Sequence, residues 1–537
     1  MNESEKPKSL FTRILGTTAD RRASLRRWLR VLLGVGVSLA TLIALFYVEE
    51  DWRGKRAWNA YAKEAAARGE ILDIAALAPP RIPDEQNFAM TPFLAPLFDF
   101  LPGTQTWRNR QAATNRMQFA AGIPDNSRVQ KGDWHLGERM DWPAWQAAFE
   151  QVARKAAGPP AGTNATLTTN RVEAAKAVLA ALQRCDPVFS ELRTASQQRP
   201  QCRFNLRYDE ENPAGVLLPH LAVLKGCVRI LTLRAGAELT LGQTESAVND
   251  LDLAFYLTDA VRAEPVLISQ LVRCAAAQFT LQPVWEGLAD RRWSDAQLQH
   301  LQRRLQQFDF LADARFALRG ERAFGNGILV YVRNHPRGYS DLGMAEIGNE
   351  SESSMMGLLA TLMPRGWFYQ EQLNYNRLFT QWIEPGLDVP SRRVNPKILT
   401  ENEAAIGKSL SPGLALLTQH RILSAMLLPA LTRACQKFTY AQTMVDEAAL
   451  ACALERYRLA NGRYPDSLAE LAPKFMEKLP HDIITGEPLK YRRADNDRFV
   501  LYSVGWNGKD DGGAIAMSGR SKTSRDLAEG DWAWPQP

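Results

Sequence analysis

The chain of 537 residues is too long for one ordinary hydrophobic core, so its length predicts several structural units. Hydrophobic residues make up 45% and charged residues 23% of the chain, which excludes wholesale disorder and a polytopic membrane protein. The formal net charge is +6, but residues 1–30 hold eight Lys or Arg against three acids, and this surplus of five leaves the remainder nearly neutral. No nucleic-acid partner is therefore predicted.

The first predicted element is a membrane-spanning helix at residues 31–48, VLLGVGVSLATLIALFYV. Eighteen uncharged residues nearly span a bilayer core of about 30 Å, and a run that is apolar on every side disfavours a surface helix of a soluble domain. The basic tail at residues 1–30 predicts a cytoplasmic amino terminus, which places the bulk of the chain in the periplasm of a bacterium. A cleaved signal peptide is the alternative, although no small-x-small cleavage site follows the run.

If the bulk of the chain is periplasmic, its six cysteines are in an oxidising compartment, where disulfides can form. Cys185 and Cys202 flank a turn-rich stretch, DPVFSELRTASQQRPQ, and a disulfide between them is one hypothesis. The other four cysteines occur in apolar helical patterns, where a free thiol behaves as a small core residue. These are Cys227, Cys274, Cys435 and Cys452.

Two regions follow the membrane segment. Residues 49–165 mix short helical patterns with Pro, Gly and Asn, which predicts an irregular juxtamembrane region. Residues 166–320 show apolar positions every three or four residues, which predicts a helical bundle. Within it, Gly242 separates two periodic segments and predicts a helical hairpin that partly resembles one tetratricopeptide repeat. Ser294 and Gln297 have the spacing of a capping box and predict the start of another helix.

Residues 321–411 are predicted to form a polar, irregular segment, because GYSDLGMAEIGNESESSMMG is typical of a flexible loop or lid. From residue 412 the helical pattern returns and continues to Asn461, with a bend expected at Pro429. The pattern predicts a helix of about fifty residues if it is continuous.

Residues that would carry catalysis are not arranged in a familiar pattern. The six histidines have no zinc-site spacing, and the sequence contains neither HExxH nor GxSxG. Gly407, Lys408 and Ser409 match the end of a phosphate-binding loop, but Asn402 stands where its first glycine is required. A non-catalytic protein is favoured, while a catalytic triad of dispersed residues stays open.

The carboxyl-terminal region begins where a helix must end. Asn461 and Gly462 can close a helix, and Pro465 prevents its continuation. Ser467 and Glu470 then form a predicted capping box for a short helix. Two strand patterns, in LPHDIITGEPLKYRR and RFVLYSV, surround the turn ADND and predict a β-hairpin. Together these elements predict a small α+β unit, in which a sheet packs on a long helix.

Residues 436–537 resemble the soluble domain of the major pseudopilin of type II secretion systems. The resemblance is carried by ALERYRLANGRYPDSLAEL, LPHDIITGEPLKYRR and FVLYSVGWNGKDDGG, which occur in the family's order and at similar spacing. It implies a pilin-like fold. The family's processing site is not found, and Gln419, His420 and Arg421 interrupt what would be an apolar stem. Membership in a pilin-type filament is therefore not expected.

The resemblance also implies a ligand, because the glycine-rich loop of that family commonly binds calcium. The matching residues here are Asn507, Asp510 and Asp511, together with Asp526. Hard oxygen ligands are what calcium requires, although Asn507 replaces a family aspartate and should weaken such a site. A solvated acidic turn is the alternative.

The sequence thus predicts a multi-domain protein with one transmembrane helix, a mainly helical central bundle and a terminal α+β unit at residues 412–537. We expect a non-catalytic interaction or scaffold protein of the bacterial inner membrane, with another envelope protein as its partner and a link to a secretion or pilus-like assembly. The alternative is a membrane-anchored periplasmic hydrolase with its site in the helical region.

Overall fold

The computed structural model describes residues 18–124, 132–157, 168–336, 360–409, 420–421, 424, 428–495, 498–519 and 524–535. This part of the chain is mostly helical, with small antiparallel sheets near its carboxyl end. The described helices are α1 (Thr18–Ala67), α2 (Arg110–Met117), α3 (Trp142–Ala157), α4 (Arg171–Leu182), α5 (Asp186–Gln198), α6 (Pro219–Thr240), α7 (Thr244–Asp259), α8 (Leu267–Ala289), α9 (Asp295–Leu305), α10 (Phe310–Asn334), α11 (Arg365–Trp382), α12 (Pro396–Ser409) and α13 (Pro429–Asn461). The described strands are β1 (Leu387–Asp388), β2 (Arg393–Val394), β3 (Lys490–Asp495), β4 (Arg498–Ser503), β5 (Ile515–Ser518), β6 (Ser524–Gly530) and β7 (Trp532–Ala533).

Helix α1 is much longer than the predicted membrane segment, which is only its apolar middle part. It has 50 residues and is therefore about 75 Å long. It continues beyond residue 48 because residues 49–67 contain no proline and are rich in Ala, Glu, Lys and Arg, which are good helix formers. Within the described residues, this is the helix that is long and apolar enough to cross a membrane, with a mean hydropathy of 2.4 over its most apolar window. None of that window is buried against the rest of the protein.

The predicted hairpin in the central bundle is confirmed. Helices α6 and α7 are antiparallel neighbours, and Gly242 between them has a φ of +75°, in the left-handed region that favours glycine. The Gln243 N–H donates to the Glu238 carbonyl and closes the end of α6. The predicted capping box is present at the start of α9, where the side chain of Gln297 accepts from the Ser294 N–H at 3.0 Å.

The segment 321–411 was predicted to be irregular, and this is wrong for much of it. It contains the second half of α10, all of α11 and α12, and the two-stranded β1–β2 pair. Sequence periodicity fails in α11 because the buried face includes polar residues such as Gln372 and Asn376 beside aromatic ones. The glycine-bearing stretch that suggested a lid, at residues 337–359, lies outside the described residues.

Helix α13 begins at Pro429, so a continuous helix from residue 412 is also wrong. His420, with a φ of +51°, has a backbone conformation that no α-helix contains. The helix ends as predicted, since Gly462 closes it with a φ of +75° and donates its N–H to the Arg458 carbonyl. The Ser467 N–H donates to the side chain of Glu470, which begins the short helical turn that follows.

The predicted β-hairpin is confirmed as strands β3 and β4, with Tyr491 opposite Leu501. Strand β7 adds to β4 and gives the order β3–β4–β7, while β5 and β6 form a separate pair. Helix α13 lies between this sheet and the bundle, and residues 448–455 are buried on every side. One hydrophobic core therefore continues from α8, α9 and α10 through α13 into the sheet. A second core joins residues 74–97 with α3, α4, α5 and α6.

The hypothesis of a disulfide between Cys185 and Cys202 is wrong, because all six cysteines are free thiols in the structure. The stretch between these two cysteines is helix α5, whose 13 residues rise by about 20 Å. Cysteines joined by a disulfide need Cα atoms within about 7 Å of each other, so a helix of this length keeps them apart. Cys185 is instead buried in the second core, and Cys202 packs against the edge of the same core.

Candidate functional site

The glycine-rich loop that was predicted to hold calcium is organised mainly by Asp531. Its carboxylate accepts the N–H of Asp511 at 3.0 Å and that of Gly513 at 2.6 Å. Asp510 accepts the Tyr502 hydroxyl at 2.9 Å, and its other oxygen lies 3.4 Å from the Lys490 ammonium. The hydroxyl, the loop N–H of Gly512 and the ammonium all hold the pKa of Asp510 below its usual range.

The other predicted ligands also accept hydrogen bonds from nearby backbone N–H groups. The Asn507 side chain accepts the Lys509 N–H. The Asp526 side chain accepts the Ala528 N–H within strand β6. Within the described ranges, no group of three or more His, Cys, Asp or Glu side chains could hold a metal ion. Calcium takes six to eight oxygen ligands, and the calcium site stays a prediction from the resemblance.

Helix α1 is joined to the folded body by a close helix crossing. Helices α1 and α11 cross with Gly54 against Gly366, so that a Cβ built on Gly54 would lie 2.8 Å from the Gly366 Cα. The Asp51 carboxylate accepts the Gly366 N–H at 2.6 Å and so satisfies a free donor at the start of α11. Glu50, which is buried, accepts from the Gln370 amide at 3.0 Å. The glycines let the two backbones approach, and the acids fix the position at which they meet.

The end of the same helix is held by a buried arginine. Arg322 of α10 donates to the Glu70 carboxylate at 2.7 Å and to the Tyr61 hydroxyl, both contributed by α1 and the turn that follows it. Its Nε donates to the Asn376 side chain of α11 at 2.7 Å. Only 5% of the Arg322 side chain is exposed, so this ion pair is shielded from water. No sequence motif marks these residues, because each lies in an ordinary helical pattern.

A cavity of about 330 Å³ opens between the segment that leads into α6, the first turn of α8 and the middle of α10. Its walls are mostly aliphatic, and the titratable side chains among them are Glu321 and Tyr208. Burial in this apolar setting raises the pKa of Glu321 to about 7. Burial is also the main cause that raises the pKa of Tyr208, and the nearby Glu264 carboxylate raises it further. Sequence reasoning missed both residues, since a single acid and a single tyrosine give no spacing signal.

A buried imidazole and carboxylate lie behind the Tyr208 wall. The His220 Nε2 and a Glu264 oxygen are 2.8 Å apart, and both residues are almost completely buried. The His220 ring stacks on Phe204, with the ring centroids 4.2 Å apart. The second ring nitrogen of His220, the second oxygen of Glu264 and the Tyr208 hydroxyl have no hydrogen-bond partner among the described residues.

No family model, curated protein or solved structure matches the chain. The resemblances to the pseudopilin domain and to the tetratricopeptide repeat stay predictions. The apolar cavity and the α1–α11 crossing are accordingly identified by their own geometry.

Proposed function

We propose that this chain is a single-pass protein of the bacterial inner membrane that acts as an interaction or scaffold module in the periplasm. The observation that carries the proposal is the two-part character of α1. One part of the helix is apolar and unburied, while the next part is polar and docked on the folded body.

Membrane insertion explains the first part. Side chains between residues 31 and 48 include Leu33, which is 69% exposed, and Val48, which is 67% exposed. Such a continuous apolar surface is unfavourable in water and is covered by lipid in a spanning helix. The interfacial Trp28 and the basic residues 1–30 support a cytoplasmic amino terminus.

Docking explains the second part and supports a scaffold. The close crossing at Gly54 and Gly366, together with the Arg322 ion pair, fixes α1 relative to α10 and α11. A rigid helix that leaves the bilayer in this way holds the body at a set distance and orientation. A protein with this geometry is suited to presenting a surface to another envelope protein. A link to a secretion or pilus-like assembly, and calcium as a ligand, rest on the resemblance at residues 436–537.

The alternative proposal is a periplasmic hydrolase with its site in the helical region. One observation favours it, the buried pair of His220 and Glu264 beside the cavity, because an imidazole oriented by a carboxylate is a common general base. The pair is almost fully buried, and this favours a structural or binding role over contact with a water nucleophile.

Topology is tested by single-cysteine labelling in cells with a permeabilised outer membrane. Lys509→Cys, at an exposed loop position, should react with a membrane-impermeant maleimide, and Arg26→Cys should react only after the inner membrane is opened. The unsubstituted chain gives the background from the six native thiols. Labelling of both positions in closed cells, or release of the protein by alkaline washing, would overturn the anchor.

The interaction role is tested by cross-linking in intact cells and purification of the tagged full-length chain, with and without calcium. One envelope protein should be cross-linked reproducibly to the periplasmic body. The same chain with Arg26→Cys, which leaves the body unaltered, is the matched control. If the body cross-links to no envelope protein and instead hydrolyses ester or amide substrates, the hydrolase proposal would replace the scaffold proposal.

A further inference from the structure

Two glycines on one face of α10 shape the cavity. A Cβ on Gly320 would clash with the Pro265 carbonyl, and a Cβ on Gly327 would lie 2.8 Å from the Pro213 ring. The two positions are separated by seven residues, or about two helical turns, so they lie on the same side of the helix. Two loops therefore close tightly on α10 at these points and leave the cavity between them, lined by Glu321 and Phe324 of the same helix.

The polar groups in this cavity lack partners. Tyr208 is only 7% exposed, and its buried hydroxyl makes no hydrogen bond in the described part of the chain. Glu321 is half-buried, and its carboxylate forms no ion pair with any described residue. Buried polar groups are normally hydrogen-bonded, and leaving one without a partner costs about 1–3 kcal/mol. An unpartnered buried hydroxyl and a carboxylate without an ion pair line the same cavity, and a ligand with a matching polar group would satisfy both.

We propose that this cavity is a binding site for a small apolar molecule that carries a protonated amino group, with Glu321 as its counter-ion. Two aromatic rings, Tyr208 and Phe324, line the same cavity, and rings with a carboxylate are a favourable setting for an ammonium group. The aliphatic walls fit the apolar part of the ligand, and the volume lies near the lower limit of about 300 Å³ for small-molecule sites.

The cavity is accessible from solvent on the side of α8. Ile268, in the first turn of that helix, lines the cavity and is itself 52% exposed. An apolar ligand can therefore enter without unfolding of the bundle. The ammonium group is recognised at the inner wall by Glu321, and the hydrocarbon part covers the exposed aliphatic mouth.

The test compares hexylamine with hexanol, which have the same chain but differ in charge. Full-length protein in lipid nanodiscs is titrated with each probe, and empty nanodiscs of the same lipid correct for partitioning. Hexylamine should bind at least about tenfold more tightly than hexanol at pH 8. The preference should shrink toward pH 6, because Glu321 is then protonated while the amine keeps its charge.

Three variants locate the site. Glu321→Gln should remove the preference for the amine while hexanol binding is retained, and Val216→Trp, which fills the cavity from another wall, should weaken both probes. Glu211→Gln is the matched control, since this acid is exposed and does not line the cavity, and it should behave as the unsubstituted protein.

Equal binding of the two probes, an amine preference that survives Glu321→Gln, or no binding of either probe would each overturn the proposal. No protein partner enters this measurement, and the proposed membrane anchor serves only to hold the protein in the nanodisc. Its failure would leave the scaffold proposal standing, and failure of the labelling and cross-linking experiments would leave the cavity standing.

Discussion

Gly366→Ala should uncouple helix α1 from the folded body. An alanine Cβ at this position would lie 2.7 Å from the Asp51 nitrogen and closer still to the Glu50 carbonyl, whereas ordinary contacts begin at 3.4 Å. Helices α1 and α11 would have to separate by roughly 1 Å to relieve this overlap. Overpacking of this kind costs about 1–3 kcal/mol.

The separation also breaks polar contacts that cross the interface. The Gly366 N–H donates to the Asp51 carboxylate at 2.6 Å, and a hydrogen bond to a charged group contributes about 1.5–3 kcal/mol. Adding the two effects, we expect a loss of about 2.5–6 kcal/mol in the free energy of docking. The change should appear as a lower midpoint of urea unfolding in nanodiscs, together with faster proteolysis after residue 67.

Gly215→Ala provides the matched control. A Cβ at Gly215 would meet no atom within 4 Å, and its φ is outside the left-handed region, so stability should change by less than about 0.5 kcal/mol. If Gly366→Ala proves as mild as Gly215→Ala, the close crossing of α1 and α11 is refuted as the joint between anchor and body.

Three further variants test buried charge and loop order. Arg322→Met should cost about 1–3 kcal/mol in unfolding free energy, because the Asn376 and Tyr61 side chains lose a buried donor, while Glu70 is 23% exposed and keeps Arg68 as a partner. The exposed Arg319→Met should be nearly neutral, and similar values for both would refute a role for the ion pair. The pKa of Glu321 is raised from 4.5 to about 7, so the folded state holds the proton more tightly than the unfolded state and stability falls as pH rises through this window. Glu321→Gln should remove up to roughly 3 kcal/mol of that fall between pH 4 and 8. Identical pH profiles of stability for the variant and the unsubstituted protein would contradict the raised pKa of Glu321. Asp531→Asn should speed amide hydrogen exchange at Gly513 about tenfold or more, since a charged acceptor is lost, and unchanged exchange would show that the loop is held by other contacts.

Local signals in the sequence predicted the ends of elements well. The stop at Gly462, the turn at Gly242 and the capping box at Ser294 depend on one or two residues whose conformational preferences are strong. The β3–β4 hairpin was equally accessible, because RFVLYS is rich in aromatic and aliphatic residues and follows the turn ADND, as expected for a strand.

Features that depend on the tertiary structure could not be predicted in this way. Helix α11 escaped recognition because Asn376 and Gln372 satisfy buried partners from α10, and a polar residue in a helical pattern is read as exposed. The continuous core around α13 could not be predicted for a related reason, since Glu447 and Glu455 are acidic residues that are nevertheless buried. Glu321 acquires its character only from loops that lie far from it in the chain.

The position of α13 has a consequence for the order of folding during synthesis. Helices α8, α9 and α10 are made well before residues 429–461, yet their apolar faces pack against this later helix. Until it arrives, the nascent chain must present an unfinished core, while α1, the proposed membrane anchor, is already complete. Completion of the bundle is thus a late event, and truncation before residue 461 should release an aggregation-prone chain instead of a shorter folded protein.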